Sequence, residues 1–571
     1  MKKRNILLIT LSLFMTITLA ACSTKPTDTQ NNNTFPARQQ QNPSQNSGQN
    51  STETISDPVS LETFDFSLSK KDQNTEYDET AATKIVFSST GITVSGSGAV
   101  SKDGIVTINA EGTYILSGSG EGEVLVELDD EDAKAQLVLM NLDLSNSNGP
   151  AILVGSADKV IITVPEGTES TLSDGAAYTV VYDESEVDAA IFSKDDLTIN
   201  GTGTLNVTSN YSHGIVGKDD LVIYQTNVNV NAVGNGLQGK DSLLLIDCSV
   251  TAKAGNDALK SNNDEDEDKG YVYISNSNIT AEATDKGIVG EKLVYIESGN
   301  INVKSTDDSI HSNSTIQIDN GSITVSTDDD GIHADALITI NGGTINVSKA
   351  LEGIEAQVIT VNDGNINVNA SDDGLNCGGS SNTANTGSTP FGGSPMMDTN
   401  SNASLTINGG TLTVNAQGDG LDSNGYLTIN GGTIYVNGPT NSGNGSLDTG
   451  ISSSITGGTL LALGASGMNE RITNVTQGTI IVDISSQKAG SLFELVDESG
   501  NVIVSYTAEK NFSNVTVSSP DIKKGATYTI KINGNAVTSV TMDDLQYFNA
   551  QGMGGQGGQG GPGGNHSGGR R

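Results

Sequence analysis

From residue 190 onward the chain repeats itself about every 22 residues, and a period of that length commits it to a solenoid with one coil per repeat. Each unit runs from an acidic or polar residue through a small residue, an Ile or Leu and a short polar stretch into an alternating strand. The small-residue anchors are Ala190, Gly214, Gly236, Ala258, Gly287, Ser309, Gly331, Gly353, Gly374, Gly420 and Ser446, at intervals of 24, 22, 22, 29, 22, 22, 22, 21, 46 and 26. Segments such as Leu197-Thr-Ile199, Leu205-Asn-Val207 and Ile345-Asn-Val347 alternate with period two, and helical spacing is absent. Turns such as Ile340-Asn-Gly-Gly-Thr-Ile345 and Ile407-Asn-Gly-Gly-Thr-Leu412 would close antiparallel hairpins in isolation, their glycines supplying a positive φ. The register argues instead for identical positions stacked coil upon coil. It predicts an all-β chain folded as a right-handed parallel β-helix, with Ile, Leu and Val filling the bore and Asn or Thr outside.

The repeat also divides the chain. Residues 81–188 keep the strand rhythm less regularly and read as the first coils plus an N-terminal cap, so the helix extends over 81–465. Residues 468–545, with Ile480-Ile-Val482, Val502-Ile-Val504 and Tyr528-Thr-Ile530, form either a small β-sandwich or a capping sheet. The Gly-rich tail, 546–571, reads as disordered. At the other end, Lys2, Lys3 and Arg4 precede an apolar run too short to span a bilayer comfortably, ending in Leu19-Ala-Ala-Cys22. That pattern resembles a bacterial lipoprotein signal over residues 1–22, with Cys22 the acylated residue. The chain is then expected on the extracellular face of the cell membrane, held by its N-terminal lipid alone. Residues 23–80, rich in Asn, Gln, Ser and Thr, read as a flexible polar stalk. Cys248 and Cys377 lie coils apart and are expected to be free, buried thiols.

With 29 Lys and Arg against 68 Asp and Glu, the formal charge is −39. Such a chain repels nucleic acid and anionic membrane surfaces, and its natural partners are divalent cations. The acids are not scattered. Aligning the coils places Asp257, Lys286, Asp308, Asp330, Glu352, Asp373 and Asp419 in one file, preceded by further acids at Asp285, Asp307, Asp329 and Asp372. A second file three residues on holds Lys260, Val289, His311, His333, Glu355, Asn376 and Asp422. Like charges about 4.8 Å apart repel by roughly 0.9 kcal/mol per pair in water, and by several-fold more near a protein surface. Calcium, which takes six to eight oxygens in flexible geometry, would relieve that repulsion. Magnesium demands a more compact octahedron, and transition metals would want more histidine than His213, His311 and His333 supply. His311 and His333 read as stacked surface residues. In the insertion Asn262-Asn-Asp264-Glu-Asp266-Glu-Asp268-Lys-Gly270 the alternating acids suggest an EF-hand loop. However, Gly270 falls one place late and Ser275 stands where a bidentate Glu belongs, which leaves a solvated loop or a lesser calcium set that includes Asp264.

Lipoprotein signal, polar stalk, the run Asp257-Ala-Leu-Lys260-Ser-Asn-Asn-Asp264 leading into Lys269-Gly-Tyr-Val-Tyr273, the repeated Asp-Asp-Gly turns and the segment Phe512 to Gly525 together resemble a family of secreted clostridial carbohydrate-binding β-helix proteins. The resemblance covers roughly residues 80–545. It implies calcium-stabilised binding of plant-type polysaccharides, cellulose or polygalacturonate, and a fold related to pectate lyases of the Asp-Asp-Gly-Leu-Asp type. A lyase would need calcium on the uronate carboxylate and a Lys or Arg base for the α-proton. No Arg occurs between residues 80 and 465, so Lys260 and Lys286 are the candidate bases. The Asp-Asp-Gly turns depart from the lyase pattern: Asp330 is followed by Gly331-Ile332-His333 and Asp373 by Gly374-Leu375-Asn376. Only Gly418-Asp419-Gly-Leu-Asp422 keeps the last acid. The absence of Trp disfavours aromatic stacking on neutral glucans, so hydrogen bonds and calcium bridges to a uronate-bearing polymer are expected. A monomeric binding protein is the leading reading, with a lyase or a surface adhesin that binds no sugar as alternatives.

Overall fold

The structure, a computed structural model, describes residues 57–130, 132–179, 187–378 and 399–550. The signal segment with Cys22, the stalk up to residue 56 and the tail from residue 551 lie outside the described residues. Apart from one turn of 3-10 helix at Leu61–Thr63, every regular element described is a strand. Most of these strands pair in parallel, each with its counterpart on the next repeat, so the fold is a parallel β-solenoid.

Each coil contributes to three strand files. One stacks Leu221, Leu243, Val272, Val294, Ile316 and Ile338. The next stacks Val228, Val250, Ile279, Ile301, Ile323 and Ile345. The third stacks Leu237, Leu259, Ile288 and Ile310, in strands of three residues, on Ile332 and Ile354, which open the longer strands Ile332–Ile340 and Ile354–Val361. These side chains are buried and form one continuous apolar cluster through the bore. Leu375 pairs directly with Leu421 across the 46-residue interval.

Two different demands explain the glycines. At the anchors the backbone of the next coil comes too close for a side chain, as a Cβ on Gly353 would stand 2.3 Å from the Gly374 carbonyl oxygen and 2.1 Å from Val368. In the Asn-Gly-Gly turns the second glycine takes a left-handed conformation, φ 89° at Gly343. The asparagines of these turns build a ladder. Asn341 donates to Asp319, Asn362 to Asn341, Asn408 to Asn362 and Asn430 to Asn408, at 2.7 to 2.9 Å. Repeated Asn is therefore a hydrogen-bonding device as well as turn chemistry, because an amide stacked on its own kind offers a donor to an acceptor at every step.

The two ends depart from simple expectation. Residues 57–80, read as stalk, lie on the solenoid: Phe64 and Phe66 pack on Tyr271, Tyr273 and Tyr295, and the Tyr271 hydroxyl donates to the Asp65 carbonyl at 2.6 Å. Asp72 is buried, bonded to Thr198 at 2.6 Å and to Lys159 at 2.9 Å. The few aromatic residues of this segment anchor it despite its polar composition. At the other end both proposed forms occur together. Phe512–Ser519 adds antiparallel to Thr459–Gly464, and Gly478–Gln487 adds antiparallel to Phe512–Ser519, extending the solenoid sheet. A separate four-stranded antiparallel sheet of Leu492–Val496, Val502–Thr507, Thr527–Ile532 and Asn535–Thr541 packs Phe493, Leu495, Ile530 and Ile532 onto Leu461, Leu463, Ile480 and Val517. Cys248 and Cys377 are free and buried.

Replacing Gly353 with Val should lower the thermal midpoint sharply, at a cost of about 3 kcal/mol or more, since the intruding atoms meet the Gly374 backbone carbonyl as well as the packed Val368 side chain. Thermal unfolding by circular dichroism checks this, and a midpoint within 2 °C of the parent would show that the close approach is not needed.

Candidate functional site

The acidic files fall on the edge formed by the third, short strands. Pairing confirms the second file residue by residue: Lys260, Val289, His311, His333, Glu355, Asn376 and Asp422 are successive register partners. It continues at both ends, to Gln238 and to Asp448. In the first file, one carboxylate oxygen has a structural duty. Asp257, Asp308, Asp330, Asp373 and Asp419 each accept the backbone N–H of the residue one coil on, respectively Lys286, Asp330, Glu352, Asp419 and Gly445. The second oxygen is thereby left facing the second file.

Chemistry divides the site. In its N-terminal half the acids have cationic partners. Lys260 Nζ stands 2.6 Å from Asp257, and Lys286 pairs with Asp307 and, at 3.4 Å, with Asp308. His311 and His333 both turn Nδ1 to Asp308 Oδ2, at 2.8 and 3.3 Å, with their rings edge to face. Neither histidine is a surface residue: His311 is buried and His333 only 24% exposed, because Asp308 draws both inward. Burial would raise the Asp308 carboxyl, but the histidine hydrogen bonds outweigh it and hold it well below the usual range. Burial would likewise lower His333, but Asp308, Glu355 and Asp330 raise it to about 9, a cation at neutral pH.

In the C-terminal half no such partners occur. Among the described residues no ion pair reaches Glu352, Glu355, Asp373, Asp419, Asp422, Asp448 or Glu470. Burial first, and then mutual repulsion, pushes Asp373 up to about 6, Glu352, Asp419 and Glu470 to about 7, and Glu355 and Asp422 to about 8. Among them lies Asn376, whose amide nitrogen donates to Glu352 at 2.7 Å while its buried carbonyl oxygen has no hydrogen-bond partner. The amide is oriented by Glu352, since a carboxylate accepts and the oxygen must turn away from it.

Four groups bring three ligand atoms each within 4.8 Å of one another: Asp308, His311 and His333; Asp330, His333 and Glu355; Asp307, Asp308 and Asp329; and Asp373, Asp419 and Asp422. The first two contain the protonated His333, and Lys286 already occupies the third. The Asp373 group is all oxygen, uncompensated and next to Asn376, a donor set suited to a hard cation. Two expected ligands lie elsewhere. Asp264 is exposed in a turn closed by Asn263, which accepts the N–H groups of Glu265 and Asp266, and Asp372 is exposed at the rim. Asp285 sits beside the Lys286 group, raised by burial and by Asp257 and Asp307. Asp448 and Glu470 went unrecognised in the sequence. The first obeys the anchor rule two places after Ser446, and the second comes from a loop outside the repeat.

Residues 102–353 match the model of a family described as carbohydrate-binding domain-containing proteins. Over 129 residues the chain is 33% identical to a carbohydrate-binding domain-containing protein of Acetivibrio thermocellus, the aligned part being 22% of this chain and 45% of that relative. The chain thus spans less than half the length of that relative. Among solved structures it is similar to a polysaccharide lyase-like protein from C. thermocellum, a gadolinium derivative, at 28% identity over 50% of this chain and 96% of the other, with a TM-score of 0.35. The family match takes in the part of the site from Asp257 to Glu352, whereas Glu355, Asp373, Asp419, Asp422 and Asp448 lie beyond it.

As lyase bases the two lysines are poorly placed. Burial would lower Lys286, but Asp307 and Asp308 outweigh it and raise it above its ordinary value, so it holds its proton. Lys260 is committed to Asp257.

The raised carboxyls set the sign of the pH dependence. A carboxyl ionising near 4 when unfolded and near 8 when folded contributes its stability in full below about pH 4 and loses it as pH rises through about 8. In chelator the thermal midpoint should therefore fall between about pH 4 and pH 8, and Asp422→Asn should flatten that fall. A midpoint rising over the same window would contradict the assignment.

Proposed function

We propose that the chain is a lipid-anchored, calcium-dependent polysaccharide-binding protein of the cell surface, built on a right-handed β-helix and directed at acidic plant-type polymers such as polygalacturonate. The observation that carries the calcium reading is the half-buried set of Asp373, Asp419 and Asp422, with no ion-pair partner among the described residues, beside the unpartnered Asn376 oxygen. Those residues, with Glu352 and Glu355 on the coil before and Asp448 on the coil after, would hold the cation. Calcium bound there would supply positive charge, holding the carboxylates ionised and offering open coordination to a sugar carboxylate. The polysaccharide reading is supported by the carbohydrate-binding family match, and the acidic preference by the lack of Trp. The lipid anchor follows from Leu19-Ala-Ala-Cys22. A lyase is the weaker reading, since Lys286 stays protonated and His333 and Asn376 stand where the lyase pattern has acid.

Retention of the chain on polygalacturonate is expected in calcium and not in chelator, with no growth in the ultraviolet absorbance of unsaturated ends. Asp419→Asn combined with Asp422→Asn should weaken calcium binding about 100-fold or more, read by isothermal titration. Growing absorbance would make the chain an enzyme, and retention equal in chelator would remove calcium from the mechanism.

A further inference from the structure

Beside the acidic files, on the strand that leads into each Asp-rich turn, runs a file of different character. Lys253, Glu282, Lys304, Ser326 and Lys349 are successive register partners there, and Asn369 and Asn415 pair on the coils that follow. Two open cavities lie along it, of about 430 Å³ beside Lys253 and Lys304 and about 450 Å³ beside Lys349, Asn369 and Asn415. Ser326 stands between Lys304 and Lys349 in the register, so the two cavities follow one strand file, termed the trough. Lys510, from the C-terminal part of the chain, lines its far end together with Gln417 and Asn441.

In a chain of net charge −39 a run of lysines on one face is an exception that calls for an anion. Internal acids account for only part of it. Lys253 pairs with Glu282 at 3.2 Å and Lys349 with the exposed Asp328, but among the described residues neither Lys304 nor Lys510 forms an ion pair. Lys510 donates to the Ala416 carbonyl, and burial pushes its ammonium down to about 8, so a desolvated cation faces the trough. Among the described residues no aromatic side chain lines either cavity, which suits recognition by amides and charges rather than by ring stacking.

We propose that this trough docks a polysaccharide bearing carboxylates, laid across successive coils with its uronate groups on Lys304 and Lys510 and its hydroxyls on Asn369 and Asn415. The inference rests on the polysaccharide-binding reading and adds, beside the calcium contact at the acidic files, a second line of contacts for the same ligand. A nucleic acid would share the charge preference, and titration with single-stranded DNA separates the two.

Isothermal titration of the full chain with oligogalacturonate, with a cello-oligosaccharide and with single-stranded DNA, all in calcium, tests the idea. The expected result is oligogalacturonate binding alone, weakened about 10-fold or more by Lys304→Glu and by Lys510→Met and kept by Lys304→Arg. Because Lys304 is exposed, its variants leave the core untouched, and an unchanged thermal midpoint confirms folding. If wild type binds oligogalacturonate and all lysine variants bind it equally, the trough is overturned while polysaccharide binding stands. If only the cello-oligosaccharide or only DNA binds, the uronate assignment is wrong. If no sugar binds to wild type, the polysaccharide reading itself falls.

Discussion

In-register stacking places every side chain beside its counterparts on the coils above and below, about 4.8 Å away in the hydrogen-bonding direction, and the rest of this structure follows from what can tolerate such company. Ile, Leu and Val gain by it, because like upon like fills the bore without steps. Asparagine gains by it too, since its amide is both donor and acceptor, and the ladder from Asn341 to Asn430 satisfies each member with the next. Carboxylates lose by it. Each added coil brings a like charge into the same low-dielectric edge, so an acidic file needs either interleaved cations or ions from solution.

Both remedies are arranged along one edge. From Asp257 to Asp330 the chain supplies its own counterions, and the hydrogen bonds of His311 and His333 make Asp308 a strong acid in a buried setting. From Glu352 to Glu470 no ion pair forms among the described residues, and burial drives the carboxyls toward neutrality. The backbone explains why acids are placed there at all. One oxygen of each first-file Asp accepts an N–H from the coil ahead, a bond that any Asp or Asn can make. Only the second oxygen is free for chemistry, so half of each residue is structural and half is available.

Much of the site was legible because a fixed period converts sequence offsets into spatial neighbours. His333 and Glu355 are 22 residues apart and register partners, and arithmetic alone pairs them. The same arithmetic reaches Asp448, lost only where the pattern was taken to end. What it misses depends on contacts without a period. Phe64 and Phe66 find Tyr271 and Tyr273 some two hundred residues away, and the polar run around them carries no sign of that attachment. The inward turn of His311 and His333 depends on Asp308 being buried between them, which side-chain type does not announce. Glu470 and Lys510 reach their places from outside the repeat.

The sequence by itself determined the parallel stack, its apolar bore and the two files of acids, because each follows from one interval applied again and again. Tertiary structure decided which acids are neutralised from within and which are not. It also decided where lysines gather into a trough and what covers the aromatic face. Those outcomes depend on burial and on partners brought together from distant segments, and desolvation, which sets the charge of a buried carboxyl, is a property of the assembled surroundings rather than of the residue.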